Sequence, residues 1–195
     1  LEKRIPQQAG LGGGSSNAAT TLWAFNHLCV KPASDTQLAE WAAEIGSDIA
    51  FFLSEGTAYC TGRGEQLQLL PPLPHTYLWV VMPPKGLSTP QIYGKLNTAQ
   101  LPPRDPQAAL QSFMTPHPLY FNDLEIPAFE VMPELLGLKS NLYDSGFKTV
   151  LMSGSGSSFF CIGDGVIPRQ PGYLSCSAQF INRKPNHWYH IYTKT

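Results

Sequence analysis

Pro6-Gln-Gln-Ala-Gly-Leu-Gly-Gly-Gly-Ser-Ser-Asn-Ala-Ala19 joins a glycine-rich turn to an alanine-rich segment. Glycine tolerates positive φ angles, so backbone N–H groups in such a turn can approach an anion closely. Ser15 and Ser16 stand where capping residues are expected, and they predict a helix from residue 16 to about residue 28. The unpaired N–H groups and the positive dipole end of that helix would point at the same place. The stretch therefore predicts a phosphate-binding loop.

The glycine spacing differs from that of two common nucleotide-binding loops. No lysine follows the glycines, as G-x-x-x-x-G-K-[ST] requires, and Gly10-Leu-Gly12 does not continue as G-x-G-x-x-G. A flexible Gly/Ser linker is the alternative interpretation. Apolar residues at helical spacing directly after the loop, from Leu22 to Phe25, disfavour a linker.

The composition is that of an ordinary globular chain. The 195 residues carry a formal net charge of -1, and 43% of them are hydrophobic. We therefore expect no nucleic-acid partner and no membrane partner, because there is no basic field and no apolar run of about 20 residues. The four scattered cysteines lack the spacing of a zinc site or a disulfide framework, so we predict no protein-held metal and expect a reducing compartment.

A carboxylate follows the second predicted helix. That helix begins at Ser34, where Gln37 completes a capping-box pattern, and it ends at Gly46. The next residues, Ser47-Asp-Ile-Ala-Phe-Phe52, place Asp48 just before an apolar run. Taken alone, such an aspartate is more typical of a turn or a helix end than of catalysis.

The middle of the chain indicates a division into two parts. Residues 56–70 predict a β-hairpin with its turn at Gly62-Arg-Gly64, and Pro71-Pro-Leu-Pro74 predicts a boundary. We expect a first lobe over residues 1–74 and a second lobe over residues 75–195. The second lobe would open with a strand from residue 77 to residue 82.

Three motifs stand out in the second lobe. Thr89-Pro-Gln-Ile-Tyr93 predicts a short helix from Pro90, capped by Ser88 or Thr89, in which Tyr93 can join the core beside Ile92. Asn122-Asp-Leu-Glu125 predicts carboxylates at the entry of a helix. Val150-Leu-Met-Ser-Gly-Ser-Gly-Ser-Ser-Phe-Phe160 predicts a tight glycine turn between strands, for which a plain hairpin is the alternative.

The glycine loop, the aspartate segment and the final glycine turn, in this order, resemble the motifs of the small-molecule kinases that include galactokinase, homoserine kinase and mevalonate kinase, the GHMP kinases. The extra glycine and Asn17 make the loop most similar to the diphosphocytidyl-methylerythritol kinase branch. Two features depart from that branch: Ala50 stands where it has proline, and residues 163–173 match poorly. The tail, residues 178–189, resembles plant-type members, so we expect a plastid location.

The resemblance implies an α+β fold of two lobes, a partial ribosomal-S5-like lobe that binds ATP and a ferredoxin-like lobe that binds the substrate. It implies Mg²⁺ as a second cofactor and Asp48 as the catalytic residue, with Thr89 and Tyr93 contacting the substrate. The residues that it implies for ATP are Pro6, Gly10, Leu11, Gly12, Gly13, Gly14, Ser15, Ser16, Asn17, Gly154 and Gly156.

The activity that the resemblance implies is phosphate transfer from ATP to the 2-hydroxyl of diphosphocytidyl-methylerythritol, a small molecule with a cytidine diphosphate moiety, in non-mevalonate isoprenoid synthesis. Members of the family carry an earlier N-terminal stretch with strands, part of the nucleotide pocket and a lysine that keeps the aspartate ionised. We therefore expect an N-terminally truncated chain and a weak catalyst. Two alternatives stay open: another GHMP kinase, acting on mevalonate, homoserine or galactose, and a catalytically silent nucleotide-binding module.

Overall fold

The structure is a computed structural model that describes residues 2–116, 118–184 and 187–188. The chain divides into two compact units. The sheet unit combines Leu1–Leu11 with Tyr77–Ala178, and the hairpin unit combines Gly12–Thr76 with Gln179–Thr195. The expected lobes, residues 1–74 and 75–195, stay a prediction. The assignment of ATP and substrate to separate lobes stays a prediction.

The hairpin unit consists of three helices and a two-stranded sheet. Its elements are α1 (Gly13–Leu28), α2 (Asp35–Ile45), α3 (Ile49–Leu53), β1 (Ala58–Thr61) and β2 (Gln66–Leu69). The predicted capping box is present, because the Ser34 side chain accepts from the Gln37 N–H and the Gln37 side chain accepts from the Ser34 N–H. The predicted hairpin is confirmed as an antiparallel pair in which Ala58 faces Leu69.

Small side chains form the core of the hairpin unit. Ala19, Ala42 and Ala50 are buried together with Ile49, so the three helices approach one another closely. Ala50, the residue that departs from the family pattern, is thus a core residue of α3. Among the described residues, no helix is long and apolar enough to span a lipid bilayer.

The start of α1 corrects the sequence prediction. The helix begins at Gly13 rather than Ser16, and its N-cap is Gly12, with φ 61°. A left-handed residue at this position turns the chain directly into the helix, and glycine adopts it with little steric cost. Ser15 and Ser16 consequently lie inside the first turn and do not cap it, and the Ser16 hydroxyl donates to the Gly13 carbonyl oxygen at 3.2 Å.

The sheet unit has a four-stranded sheet with helices packed on it. Its elements are β3 (Tyr77–Met82), α4 (Thr89–Lys95), a 3₁₀ turn (Thr98–Gln100), α5 (Pro106–Phe113), α6 (Glu125–Val131), α7 (Glu134–Asp144), β4 (Thr149–Met152), β5 (Phe159–Ile162) and β6 (Leu174–Gln179). The strand order is β4-β5-β3-β6, and β5 runs antiparallel to both of its neighbours. Helical spacing places Leu135, Leu138 and Leu142 of α7 in the core.

Two predictions for the sheet unit can be compared directly with its elements. The strand–turn–strand predicted around Gly154 and Gly156 is confirmed by β4 and β5. Helix α4 begins one residue earlier than predicted, at Thr89, and the side chain of its N-cap residue Ser88 makes no capping hydrogen bond. Of the tail that resembles plant-type members, residues 185, 186 and 189 lie outside the described residues.

Candidate functional site

The first glycine of the loop lies against the final glycine turn, within the sheet unit. Gly10 has φ 71°, and a methyl group added to it would lie 1.9 Å from the carbonyl oxygen of Ser153. The Ser153 hydroxyl donates to the Gly10 carbonyl oxygen at 2.8 Å. The Ser158 N–H donates to the carbonyl oxygen of Ala9, the buried residue before Gly10, at 3.1 Å. Two motifs separated by more than 140 residues of sequence therefore touch through their backbones.

Two backbone hydrogen bonds close the final glycine turn on itself. The Gly156 N–H donates to the Ser153 carbonyl oxygen at 3.0 Å, and the Ser153 N–H donates to the Ser158 carbonyl oxygen at 2.8 Å. Gly154 and Gly156 have φ angles of 54° and 86°, in the region that favours glycine. The turn is thus closed by two internal hydrogen bonds, and it contacts the loop at Ala9 and Gly10. Pro6 and Leu11, on either side of this contact, are half-buried.

The second half of the loop starts α1, in the hairpin unit. The Ser16 N–H makes the first helical hydrogen bond, to the Gly12 carbonyl oxygen at 2.8 Å. The N–H groups of Gly13, Gly14 and Ser15 precede that bond and have no acceptor within the helix. Among the described residues, nothing outside the adjoining helical backbone lies within 4 Å of a methyl group placed on Gly14. This helix end can therefore receive an anion through three N–H groups and the helix dipole.

Asp48 lies at the N-terminal end of α3, in the hairpin unit. It occupies the N-cap position of that helix, but its side chain makes no capping hydrogen bond. The residue is exposed, and within residues 2–116, 118–184 and 187–188 it forms no ion pair. The turn of the β1–β2 hairpin passes close by, since a methyl group on Gly64 would lie 3.2 Å from Asp48 Oδ1. The carboxylate is thus held beside the hairpin and keeps its oxygens available.

The neighbours of Asp48 include a thiol. Surrounding protein atoms first, and the negative charge of Asp48 second, raise the pKa of the Cys60 thiol above its ordinary value. Arg63 at the hairpin tip pairs with Glu65 at 4.0 Å. The backbone N–H groups of Glu65 and Arg63 hold the pKa of the exposed Glu65 carboxyl below its ordinary value. The Arg63 charge is therefore engaged locally, as expected for a turn residue.

The two residues implied for the substrate lie on α4 of the sheet unit. Thr89 Oγ1 and Ser155 Oγ are 2.8 Å apart and share a hydrogen bond, which ties the start of α4 to the final glycine turn. Tyr93 is 59% exposed, whereas Ile92 is fully buried. The alternative that Tyr93 is a core contact is therefore excluded, and its ring is free to meet a ligand.

The sequence motifs do not reveal which side chains hold the final glycine turn in place. The Asn122 carboxamide donates to the carbonyl oxygens of Met152 and Gly154 at 2.8 and 2.7 Å. Glu125 Oε1 accepts from the Met152 N–H at 2.9 Å. Both residues stand in the motif that predicts only helix-entry carboxylates, and no spacing rule connects that motif to a turn some 30 residues later.

No residue cluster suited to holding a metal ion by itself occurs in the described part of the chain. A cation bound through nucleotide phosphates needs no such cluster, because one or two protein oxygens suffice for it.

The α+β fold of the two units is that of the GHMP kinases. A family model described as the N-terminal domain of GHMP kinases matches residues 1–56. A crystal structure titled 4-(cytidine 5'-diphospho)-2C-methyl-D-erythritol kinase superposes with a TM-score of 0.72 at 40% identity, covering 85% of this chain and 61% of that one. Homoserine kinase from Cytophaga hutchinsonii superposes with a TM-score of 0.65 at 15% identity, covering 92% of this chain and 68% of that one, which supports the fold alone.

Two relatives similar to this chain share the name 4-diphosphocytidyl-2-C-methyl-D-erythritol kinase. The 4-diphosphocytidyl-2-C-methyl-D-erythritol kinase of Protochlamydia amoebophila is 57% identical over 189 residues, which are 97% of this chain and 64% of the relative. The chloroplastic/chromoplastic protein of that name from Solanum lycopersicum is 42% identical, over 97% of this chain and 51% of the relative. The chain thus spans between half and two thirds of these relatives. The expected plant-type character is not confirmed, because identity to the bacterial relative is higher.

Proposed function

We propose that this chain takes part in the ATP-dependent phosphorylation of the 2-hydroxyl of 4-diphosphocytidyl-2-C-methyl-D-erythritol. The observation that carries the proposal is the start of α1, where a loop of this kinase type presents three N–H groups without helical acceptors. The names of the relatives, at 57% and 42% identity over 97% of the chain, supply the substrate.

The described residues suit a polyphosphate. In the hairpin unit, Gly12, Gly13, Gly14, Ser15, Ser16 and Asn17 form the helix start that would receive it. In the sheet unit, Pro6, Gly10 and Leu11 form the approach to that helix, which Gly154 and Gly156 support by shaping the turn against Gly10. When bound, ATP supplies the phosphoryl group and Mg²⁺ offsets the phosphate charge. These residues contribute positioning and backbone N–H dipoles.

Asp48 is the proposed catalytic residue. Its carboxylate is exposed and is not used as a helix cap, so an oxygen is available to accept the proton of the substrate hydroxyl. A positioned carboxylate of this kind contributes on the order of 10² to 10⁴ in rate. The turn of the β1–β2 hairpin lies beside this carboxylate, which forms no ion pair within the described residues.

The proposed substrate contacts are Thr89 and Tyr93. The exposed Tyr93 ring offers a flat apolar face on which a cytosine ring can stack. Thr89 is joined to the final glycine turn through Ser155, so the helix that carries Tyr93 is anchored at its first residue. A plastid location remains a prediction, based on the tail and on the chloroplastic names among the relatives.

The first experiment measures binding and transfer separately. The 195-residue chain is titrated with a non-hydrolysable ATP analogue and Mg²⁺. It is then incubated with ATP and each of four acceptors: diphosphocytidyl-methylerythritol, mevalonate, homoserine and galactose. The Protochlamydia amoebophila relative serves as the positive control for the assay. We expect analogue binding, and transfer to the cytidyl substrate alone.

Asp48→Asn is the variant that tests the catalytic assignment. We expect transfer to fall by a factor of about 10² or more while affinity for the ATP analogue changes less than about twofold. Asp35→Asn is the matched control, because Asp35 is an exposed aspartate in the first turn of α2 in the same unit. An unchanged rate in Asp48→Asn would reject Asp48 as the proton acceptor.

The other outcomes separate the alternatives. Transfer to mevalonate, homoserine or galactose in place of the cytidyl substrate would identify another GHMP-type kinase. Binding of the analogue without transfer to any acceptor would favour a catalytically silent nucleotide-binding module. Absence of binding would contradict the proposed ATP site.

A further inference from the structure

Side chains satisfy the outer backbone groups of β4, at the end of the sheet. The Tyr143 hydroxyl donates to the Val150 carbonyl oxygen at 3.2 Å. Two residues further on, Glu125 Oε1 accepts from the Met152 N–H, and Asn122 Nδ2 donates to the Met152 carbonyl oxygen. An end strand normally leaves such groups to water or to another chain. Here they are bonded to residues on or beside α6 and α7, and the bonding continues into the glycine turn.

Asn122 holds the residues on both sides of Ser153. Its side-chain nitrogen donates to the carbonyl oxygens of Met152 and Gly154, which takes both of its hydrogens. Its side-chain oxygen accepts from the Leu124 N–H at 3.0 Å, so the carboxamide is oriented by the start of α6. All the hydrogen-bonding groups of the carboxamide are thus used to join α6 to the glycine turn.

Ser153 links the glycine turn to the loop by contacting Gly10. Its hydroxyl donates to the Gly10 carbonyl oxygen, and its own carbonyl oxygen lies so close to Gly10 that no side chain fits there. A displacement of Ser153 must therefore displace Gly10 or break the contact. Gly10 stands two residues before Gly12, the N-cap of α1.

We propose that Asn122 is a positioning residue that sets, through Ser153, the place of Gly10, in the part of the loop that belongs to the sheet unit. The Glu125–Lys139 ion pair supports it from the same segment, since these side chains are only 12% and 19% exposed and Glu125 also bonds to the Met152 N–H. The effect on the turn follows from the contacts alone. The effect on ATP rests on the proposed function.

The test compares Asn122→Asp with Asn97→Asp. In both variants a carboxylate oxygen replaces the side-chain amide oxygen that accepts from a backbone N–H. That N–H belongs to Leu124 in Asn122→Asp and to Ala99 in Asn97→Asp. Only at residue 122 does the carboxylate face two carbonyl oxygens that the wild-type nitrogen contacts at 2.7 and 2.8 Å. Two acceptors lose their donor there and meet a negative charge, which is costly in a partly buried site.

Hydrogen exchange reports on the turn. We expect the amides of Ser153, Gly156 and Ser158 to exchange at least about tenfold faster in Asn122→Asp and unchanged in Asn97→Asp. As the pH falls, the ratio of the exchange rate in Asn122→Asp to that in wild type at the same pH should decrease. The two carbonyl oxygens disfavour the charged carboxylate, and a protonated carboxyl can donate to one of them. Asn122→Ala, which adds no charge, should show the faster exchange without this pH dependence. Unchanged exchange in a folded Asn122→Asp or Asn122→Ala would overturn the proposal.

Affinity for the ATP analogue supplies the second measurement. In a wild-type chain that binds the analogue, Asn122→Asp should raise the dissociation constant about tenfold, and Asn97→Asp should leave it unchanged. Faster exchange in the turn with unchanged affinity would overturn the positioning role of Asn122. A wild-type chain that does not bind the analogue would contradict the proposed function, while the exchange data would still decide whether Asn122 holds the turn.

Discussion

The final glycine turn and the start of α1 are both rich in glycine and serine, yet they use glycine for opposite purposes. In the turn, Gly156 donates its N–H to Ser153, and the loop presses against Ser153 at a point where only glycine fits. At the start of α1, the N–H groups of Gly13 and Gly14 have no helical acceptor, and a side chain on Gly14 would meet open space. One region is closed to an added methyl group, and the other is open to it.

The difference teaches that glycine can serve a close backbone contact, as at Gly10, or leave open space around the N–H groups of a helix start, as at Gly14. The closed turn supports the loop mechanically, by touching Gly10. The open helix end supplies donors for an anion. The resemblance assigns the glycines of both segments to ATP in the same way, whereas the structure gives them different surroundings: Gly156 donates its N–H to Ser153, and Gly13 and Gly14 have no helical acceptor.

The largest effect that tests this comparison is expected from Gly10→Ala. The added methyl group would lie 1.9 Å from a backbone oxygen and would place alanine at φ 71°. Left-handed geometry alone costs about 1–2 kcal/mol, and displacement of the turn adds to it, so we expect roughly 3 kcal/mol of destabilisation or more. Urea unfolding measures this loss, and hydrogen exchange in β4 and β5 locates it in the sheet unit.

Gly14→Ala is the matched control within the same loop. It adds a methyl group in open space on a helix, where alanine is preferred to glycine by up to about 1 kcal/mol. We therefore expect unchanged or slightly increased stability. Equal stabilities of the two variants would show that the turn yields freely at Gly10, and the description of a closed region would be wrong.

Gly12→Ala should have an intermediate effect, because the obstacle is a side chain rather than a backbone. The new methyl group would lie 2.6 Å from the tip of the Phe52 ring, at φ 61°. We expect a loss of about 1–2 kcal/mol, mostly from the backbone conformation. In a double-mutant cycle measured by urea unfolding, Phe52→Leu should reduce the stability loss caused by Gly12→Ala. We expect an interaction free energy between the two substitutions of about 0.5 kcal/mol or more. Strict additivity would show that the ring does not limit the site.

Local chemistry accounts for what sequence predicted well. The capping box at Ser34 and Gln37, the hairpin turned at Gly62-Arg-Gly64 and the strands around Gly154 depend on residues a few positions apart, and all are present. The predicted start of α1 was wrong. Glycine is a poor helix former, and its use as a left-handed N-cap is not visible in a helix propensity.

Long-range contacts account for what sequence could not predict. The bond between Ser153 and Gly10 spans 143 residues, and the bonds from Asn122 to the turn span about 30. The exposure of Tyr93 and the burial of Ile92 depend likewise on what packs against α4. No residue pattern within a short window contains this information, although the resemblance to a kinase family indicates which motifs belong together.

Two thiols, one from each unit, allow the smallest expected effect to be measured. Cys161 lies on β5, directly after the closed turn, and burial raises its pKa to about 12. Cys60 is exposed on β1, and its pKa is raised by surrounding protein atoms and then by the Asp48 charge. The thiolate is the reactive form, and its fraction grows as the pH approaches the pKa from below. At pH 8, iodoacetamide should modify Cys60 slowly and leave Cys161 unmodified in the folded chain.

Asp48→Asn removes the second of the two causes that raise the Cys60 pKa. The pKa should fall, because a nearby negative charge no longer opposes thiolate formation, and the alkylation rate below that pKa should rise by about two- to fivefold. Mass spectrometry of the Cys60 peptide measures the rate, with Cys29 and Cys176 as exposed internal standards and Asp35→Asn as the control. A rate that does not change would show that Asp48 points away from the hairpin. The carboxylate would then lack the neighbour that orients it, and its assignment as the proton acceptor would lose its structural support.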